Sequence, residues 1–520
     1  MKKGGSGTMK LYRWQRECLQ AWEVHRFRGI AHVVTGAGKT FLALKAMDSY
    51  LSRWPKAKIR IVVPTVPLAR QWQLALLHHV GTPELRPGFF GGGVRDSEER
   101  QVMIYIINSA RDALSDHIRR DFALGYHTLL ICDECHHYQS PQNRRIFDFM
   151  TTPPDPGDLY AALGLSATPF GSSDDDILLH ALGPEIYRYD VNAAAQDSII
   201  SPFTVCETSV SFLPSELKLY RQLSYELLVL MQKLFKAFPE LKGVSRTAFL
   251  RAVGKMAREA NMDPDSPAAA FLLKTWERKE VSVLAQARIL CCQTLVESLP
   301  DSERILIFCE RISQAEEMTR ALRRQYGNKC GIYHSEMSRE ARQRNMSDFR
   351  ENRTRILVSC RCLDEGIDVP DASVGIVLSG AAVTRQRIQR LGRILRRSEG
   401  KESACLYYLY IQESFEDSAF LPGLQAGESF TLYYRSQDRV FENDLYVYAA
   451  AELMRKCRDE GYTAPQLREL RRCLMEGLCR ADCLLPEDAI ARHIKNAGSS
   501  VHERNYWQTM RKLSGIVRRR

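Results

Sequence analysis

Short, uninterrupted apolar runs recur in two separate stretches of this chain, each run followed by an amphipathic, charge-bearing segment. In the first stretch the runs lie at Ala31–Thr35, Ile59–Pro64, Met103–Asn108, Thr128–Asp133 and Ala161–Ser166. In the second they lie at Arg304–Glu310, Cys330–His334, Thr354–Ser359, Val374–Ser379 and Ala404–Tyr410. A strand that is apolar on both faces must be covered on both faces, which points to buried parallel strands rather than half-exposed antiparallel ones. Strands alternating with helices predict an α/β fold with two doubly wound parallel sheets.

The intervening texture is helical. Ser215 reads as a cap for an amphipathic run from Glu216 to Phe238, and helical sequence continues to Leu299, interrupted by DPDSP at Asp263–Pro267. The pattern turns helical again after Tyr434 and ends on the basic RKLSGIVRRR. The expected organisation is therefore a flexible terminus at 1–10, a first α/β lobe at 11–200, a helical bridging segment at 201–299, a second α/β lobe at 300–434 and a helical, basic C-terminal extension at 435–520. TTPPDPGD at Thr151–Asp158 reads as a surface connection. GFFGGGVRD at Gly88–Asp96 reads as a flexible loop whose glycines are too scattered to cradle a phosphate. At 520 residues, 45% of them hydrophobic, the chain has ample material for several cores, and wholesale disorder is excluded.

The net charge of +11, from 73 Lys and Arg against 62 Asp and Glu, is compatible with a polyanionic partner without requiring one. No run of about 18 apolar residues is present, so no transmembrane helix is expected. The 15 cysteines sit largely in apolar runs such as LLICDEC and ILIFCERI. They read as buried thiols of a cytoplasmic protein, because a chain this rich in core residues needs no disulfide scaffold. The nearest approach to a metal motif, Cys473, Cys479, Cys483 and His493, lacks the paired short spacing that structural zinc sites favour.

Two motifs carry chemistry. VVTGAGKT at Val33–Thr40 is a short strand, a glycine-containing turn and the start of a helix. Gly36, Ala37 and Gly38 would let backbone N–H groups converge on phosphate oxygens, the helix N-terminus adds partial positive charge, Lys39 would reach the β- and γ-phosphates, and the Thr40 hydroxyl would ligate Mg²⁺. The strict P-loop pattern has glycine where Val33 stands, so the alternative is a glycine turn with a chance GKT. LLICDECHH then ends a strand on Asp133 and Glu134. Two adjacent carboxylates delivered by an apolar strand are costly unless a cation meets them. With Mg²⁺ and ATP as cofactors, Asp133 would hold the metal through water and Glu134 would polarise the attacking water. The alternative is a solvated acidic turn.

VVTGAGKT, DECH and LGLSATP in this order, followed by CRCLDEGIDVP at Cys360–Pro370 and QRLGRILRR at Gln389–Arg397, resemble the superfamily 2 helicases over roughly Leu11 to Tyr410. The spelling is closest to the XPB-like and restriction-type branch, and His136, where DEAD-box RNA helicases have Asp, argues against those. The resemblance implies two RecA-like lobes. It further implies that Gln15 hydrogen-bonds adenine, that Thr65 touches the nucleic-acid backbone, and that Ser166 and Thr168 couple nucleotide state to lobe movement. Gly366 and Asp368 match the motif at the lobe interface, with Asp368 near the nucleotide sugar. Gln389, Arg393 and Arg396 match the last motif. Arg393 and Arg396 are three apart, hence on one face of a helix, as suits two guanidiniums meeting the charge of a γ-phosphoryl transition state. The alternative for such a helix is a basic surface stripe.

The expectation is an ATP-dependent translocase on nucleic acid, DNA favoured over RNA, with 3′→5′ tracking on one strand, in DNA repair or prokaryotic antiviral defence. The competing expectation is an ATPase switch or clamp that remodels nucleoprotein or senses a nucleic-acid structure without travelling. No nuclease signature accompanies the motor motifs, so a restriction-like role would require a nuclease or defence-system partner subunit.

Overall fold

The computed structural model describes residues 11–79, 86–150, 157–169, 177–360, 372–379, 392, 394–395, 403–416, 428–480, 482–498 and 500–518. Five of the candidate site residues named above, Gly366, Asp368, Gln389, Arg393 and Arg396, lie outside these, as does most of the connection read at Thr151–Asp158.

The first lobe is built on an eight-stranded sheet. Its strands are β1 (Arg28–Val33), β2 (Lys58–Val63), β3 (Gly88–Gly91), β4 (Val94–Arg95), β5 (Val102–Ile106), β6 (Thr128–Asp133), β7 (Tyr160–Ser166) and β8 (Glu185–Tyr189). Their order across the sheet is β4-β3-β5-β2-β6-β7-β1-β8. Every pair is parallel except β3 with β4. Strands β2, β5, β6 and β7 are buried at every position, which is why their sequences read as continuous apolar runs.

The helix Arg13–Val24 buries Trp14, Gln15, Cys18 and Trp22 along one stripe, and the Trp22 indole donates to Ala162 O at 2.8 Å, pinning the helix to β7. At the other edge, GFFGGGVRD is not the loop expected. It forms the β3–β4 hairpin, whose turn uses Gly92 and Gly93, both at positive φ. Glycine makes a hairpin turn there at no steric cost, and β3 then pairs with β5 in parallel.

The second sheet also has eight strands: β9 (Phe203–Val210), β10 (Ile305–Cys309), β11 (Cys330–Tyr333), β12 (Ile356–Cys360), β13 (Val374–Val377), β14 (Ala404–Ile411), β15 (Glu428–Arg435) and β16 (Val440–Glu442). The order is β11-β12-β10-β13-β14-β9-β15-β16, parallel throughout except β15 with β16. Strand β9 corrects the expected boundary at 201. The bridging segment opens not with helix but with a strand inserted between β14 and β15. FTVCETSV hides its strand character because Thr204, Thr208 and Ser209 are polar, yet all three are buried in the sheet. The C-terminal extension likewise begins with the short β16 before turning helical.

The helices Pro214–Ala237, Arg246–Glu259 and Pro267–Val283 enclose their own small core around Leu234, Phe249, Val253 and Ala269. Among the described residues the C-terminal helices Asp444–Asp459, Ala464–Arg480, Glu487–Asn496 and Val501–Val517 form no separate core. Cys473, Trp507, Met510 and Leu513 belong to the same apolar cluster as β10, β12 and β13. The buried Tyr407 hydroxyl on β14 donates to Cys479 O at 2.6 Å. Another cluster runs without a break from Val33, Leu129 and Ile131, through Ile200 and Phe203, to Leu395 and Leu406, so the two lobes share buried surface. Among the described residues no helix is long and apolar enough to cross a membrane. Every described cysteine is free, and all but Cys405 are buried.

Candidate nucleotide site

Strands β6, β7 and β1 are adjacent and parallel, so their carboxyl ends open on one edge of the first sheet. In a doubly wound sheet that edge is where ligands sit, because the loops leaving the strands diverge there. Each strand delivers one motif. β1 runs into the turn Val34–Gly38, β6 ends on Asp133, and β7 ends on Ser166. His32 pairs with Ser166 and Asp133 with Leu165, which holds the three ends in register.

The turn is made by Gly36 at φ 91° and Gly38 at φ 99°, values that favour residues without a Cβ. Gly38 caps the helix Lys39–Arg53, and Lys39 and Thr40 are its first two residues. The free N–H groups of that first turn and the lysine therefore address the same point. Lys39 Nζ donates to Glu134 Oε1 at 3.0 Å, with both side chains nearly buried. Breaking such a buried pair by removing one partner strands the other charge, a loss of about 3–5 kcal/mol.

Asp133 and Glu134 are adjacent but differently held. The Asp133 carboxylate accepts from the Trp72 indole at 2.8 Å and from the Glu134 backbone N–H at 3.0 Å. Burial raises its carboxyl to about 6, the Glu134 charge adding to this and Lys39 and Trp72 opposing it. Burial also pushes Glu134 upward, but Lys39 and His136 outweigh it and hold Glu134 below the usual carboxylate range. Glu134 adopts φ 48°, an unusual backbone for a side chain of this size, and such strain concentrates where a structure must aim a group. Beyond it, His136 Nδ1 lies 3.5 Å from Glu134 Oε2 and 2.9 Å from Ser166 Oγ, and Ser166 Oγ accepts from the Thr168 N–H at 3.0 Å. A continuous polar chain thus links Lys39 to the end of β7.

The other sequence-derived residues fall around this centre. Gln15 is fully buried. Its Nε2 donates to Gly38 O at 3.3 Å and its Oε1 accepts from the Tyr12 N–H at 3.0 Å, so the upstream helix rests on the phosphate-type turn. Thr65 follows β2 at the same sheet edge and heads the helix Val66–His79, with Leu68 N–H 3.4 Å from its Oγ1. Of the last motif, Gly392 is described. A Cβ built there would fall 2.5 Å from Thr35 Cβ and 2.9 Å from Thr35 O, so the second lobe meets the glycine turn of the first. Ser201 N–H donates to Leu395 O at 2.9 Å beside this contact.

Two members escaped the sequence reading. Trp72 stands in PTVPLARQW, a segment read only for Thr65, and His136 was read only as a branch marker. Both signals were in quoted motifs, but nothing local says that an indole will reach a carboxylate on a neighbouring strand.

Whether these residues suit a nucleotide and Mg²⁺ is tested by what they leave unmet. Thr35 Oγ1 and Thr168 Oγ1 are buried at this edge with no hydrogen-bond partner among the described residues, and Glu134 Oε2 meets the His136 ring at 3.5 Å without a hydrogen bond. Buried polar atoms left so are costly unless a ligand engages them. With a cationic lysine, a helix N-terminus and two carboxylates of split character, the donor set fits a phosphate chain with a hard divalent cation.

Comparison with known proteins agrees with this geometry. Residues 8–171 match the family model described as the type III restriction enzyme, res subunit, and residues 286–398 match the helicase conserved C-terminal domain. A protein of Sulfurisphaera tokodaii named DNA 3'-5' translocase XPB2 is 28% identical over 392 residues, covering 75% of this chain and 80% of that one. A Rad25 protein of Haloarcula marismortui is 26% identical over 76% of this chain, which spans only 52% of the relative's length. Among solved structures, a fragment assigned to an HsdR subunit of a type I restriction enzyme from Vibrio vulnificus YJ016 superposes with a TM-score of 0.52 at 16% identity, over 83% of this chain and 70% of that one. That likeness concerns the fold. Two RecA-like sheets, a glycine turn and acidic pair at their expected strand ends, and two matching family models on one chain place the protein in the superfamily 2 helicases, a family of ATP hydrolases.

Proposed function

We propose that this chain couples ATP hydrolysis to 3′→5′ movement along one strand of DNA. The observation that carries the reading is the Lys39–Glu134 pair at 3.0 Å, set where β1 and β6 end on either side of β7. In this reading the first-turn N–H groups and Lys39 hold the phosphate chain, and Thr40 and Asp133 hold Mg²⁺. Mg²⁺, when bound, offsets the charge of the phosphate oxygens. Glu134, kept ionised by Lys39 and His136, accepts a proton from the attacking water. Trp72 fixes the orientation of Asp133. Gln15, seated against Gly38, reads the base. The chain from Glu134 through His136 to Ser166 and Thr168 relays the state of the site to the sheet edge that Gly392 touches. Arg393 and Arg396 follow Gly392 in sequence and complete the site as charge-stabilising guanidiniums from the second lobe.

DNA and the polarity are supported by the name of the Sulfurisphaera tokodaii relative. Nucleic acid lies across both lobes, Thr65 gripping in the first and the Cys360–Asp368 motif in the second, through phosphate contacts. The setting we favour is DNA repair or prokaryotic antiviral defence, with a nuclease subunit supplied by a partner in the second case.

The test measures ATPase rate against single-stranded DNA of increasing length, duplex DNA and RNA, together with triplex displacement and unwinding of 3′-tailed against 5′-tailed duplexes. A rate that rises with DNA length and unwinding from 3′ tails are expected. A length-independent rate would favour the switch or clamp, and stimulation by RNA alone or unwinding only from 5′ tails would overturn the assignment of track and polarity.

A further inference from the structure

The C-terminal helices bring together three side chains of metal-binding type that lie far from the nucleotide site. Glu469 and Cys473 are four apart on the helix Ala464–Arg480 and so share a face. His502 is the second residue of the helix Val501–Val517, which packs across that face. His502 Nδ1 lies 2.5 Å from Glu469 Oε1, Cys473 Sγ lies 3.9 Å from the same oxygen, and the three ligand atoms are all within 4.8 Å of one another. The other ring nitrogen, Nε2, lies 2.9 Å from Glu476 Oε2. A carboxylate on the far nitrogen of a histidine is the arrangement that orients imidazole toward a metal and raises its basicity.

Among the described residues the cysteine motif read from sequence does not gather as a ligand set, and its His493 stacks face to face on Trp507 at 3.9 Å. Cys473 is instead grouped with Glu469 on its own helix and His502 on the next but one, a set no spacing rule contains.

We infer that Glu469, Cys473 and His502 form a zinc site that cross-links the helices Ala464–Arg480 and Val501–Val517. Thiolate, imidazole and carboxylate together suit Zn²⁺ and exclude the hard cations Mg²⁺ and Ca²⁺ as preferred occupants. Tetrahedral zinc with bonds of about 2.0–2.3 Å holds its ligand atoms roughly 3.3–3.7 Å apart. Glu469 and His502 must therefore part by about 1 Å while the thiol closes in, an adjustment open to two side chains that are each about one-third exposed, at 31% and 33%. The fourth position faces a cavity of about 250 Å³ lined by Gln466, Asn505, Thr509 and Lys512, which admits water as the remaining ligand. Lys512 is turned to the Tyr462 hydroxyl at 2.6 Å, and Arg472 pairs with the free oxygen of Glu476 at 3.2 Å. With the thiol ionised, two glutamates and one thiolate against Arg472 leave a charge of about −2, matching the cation. Binding releases the thiol proton and any proton shared between His502 and Glu469.

The experiment uses the full chain, stripped with a chelator and titrated with Zn²⁺ against a chromogenic competitor, then with Co²⁺ as a spectroscopic probe. One Zn²⁺ per chain, a higher Tm with zinc and a thiolate-to-cobalt absorption band are expected. Cys473→Ala leaves the His502 contacts with both glutamates in place. It should keep the metal-free Tm to within a few degrees, lose the cobalt band and lose the zinc-dependent Tm rise. Glu469→Gln should weaken zinc binding at least 10-fold while retaining the band. Absence of stoichiometric zinc binding, or a cobalt band that survives Cys473→Ala, would overturn the site.

Discussion

The Trp72 indole N–H reaches Asp133 Oδ2 at 2.8 Å, tying the helix that follows Thr65 to the carboxylate that ends β6. The two residues are 61 apart in sequence. The same contact joins the segment proposed to meet the nucleic-acid backbone to the group proposed to hold Mg²⁺, so a shift of that helix would reach the Asp133 carboxylate.

Trp72→Phe keeps the ring in its buried slot and removes the donor. A hydrogen bond to a charged group contributes about 1.5–3 kcal/mol. The Mg²⁺ concentration for half-maximal ATPase should rise about 10-fold or more, with little change in the nucleic-acid affinity of the metal-free protein. An unchanged Mg²⁺ requirement would remove Trp72 from the site.

Lys39→Ala should abolish hydrolysis and weaken nucleotide binding, since it removes the phosphate-facing cation. Glu134→Gln should keep nucleotide binding and lose turnover, because Asp133 and its bond to Trp72 survive. Equilibrium binding of a fluorescent ATP analogue beside steady-state ATPase separates the two. Wild-type turnover in Glu134→Gln would show that the roles of the two carboxylates are misassigned.

Gly392→Ala places a methyl group against Thr35. That Cβ would fall 2.5 Å from Thr35 Cβ and 2.9 Å from the Thr35 backbone oxygen, so the contact between the lobes must open to admit it. The expected result is near-normal ATP binding with nucleic-acid-stimulated kcat strongly reduced, and a wild-type kcat would show that this contact is not needed for turnover.

Arg393→Ala and Arg396→Ala should each lower stimulated kcat by roughly 10³-fold, the scale of a lost arginine finger. ATP binding to the open form should change little. Loss of ATP affinity at normal kcat would assign these arginines to ground-state binding instead.

Arg60 is fully buried and grips Asp121 through Nε at 2.8 Å and Nη2 at 2.7 Å. Arg60→Met leaves that carboxylate buried without its partner and should destabilise the first lobe by about 3–5 kcal/mol. Denaturant unfolding followed by the fluorescence of Trp72 and its neighbours would measure it.

Much of the fold was legible because its signals are local. β2, β6 and β7 announce themselves as unbroken apolar runs, since a strand covered on both faces has no solvent side to mark. The glycine turn and the acidic pair are legible for the same reason. Gly36 and Gly38 are there for their own φ angles, and Asp133 and Glu134 follow directly on a strand. Strand β9 was not legible, because its buried threonines and serine look like surface until two parallel neighbours enclose them.

By itself, then, the sequence determined two parallel sheets, the turn that precedes Lys39 and the strand end that carries Glu134, all set by chain geometry within a few residues. Only the tertiary structure decided that Lys39 and Glu134 meet, that Trp72 holds Asp133, that Gly392 rests on Thr35, and that Cys473 faces His502 rather than His493. Each of those contacts joins elements distant in the chain. Periodicity reports which face of an element is buried, whereas the partner on that face is chosen by strand order and helix packing, which no local pattern contains.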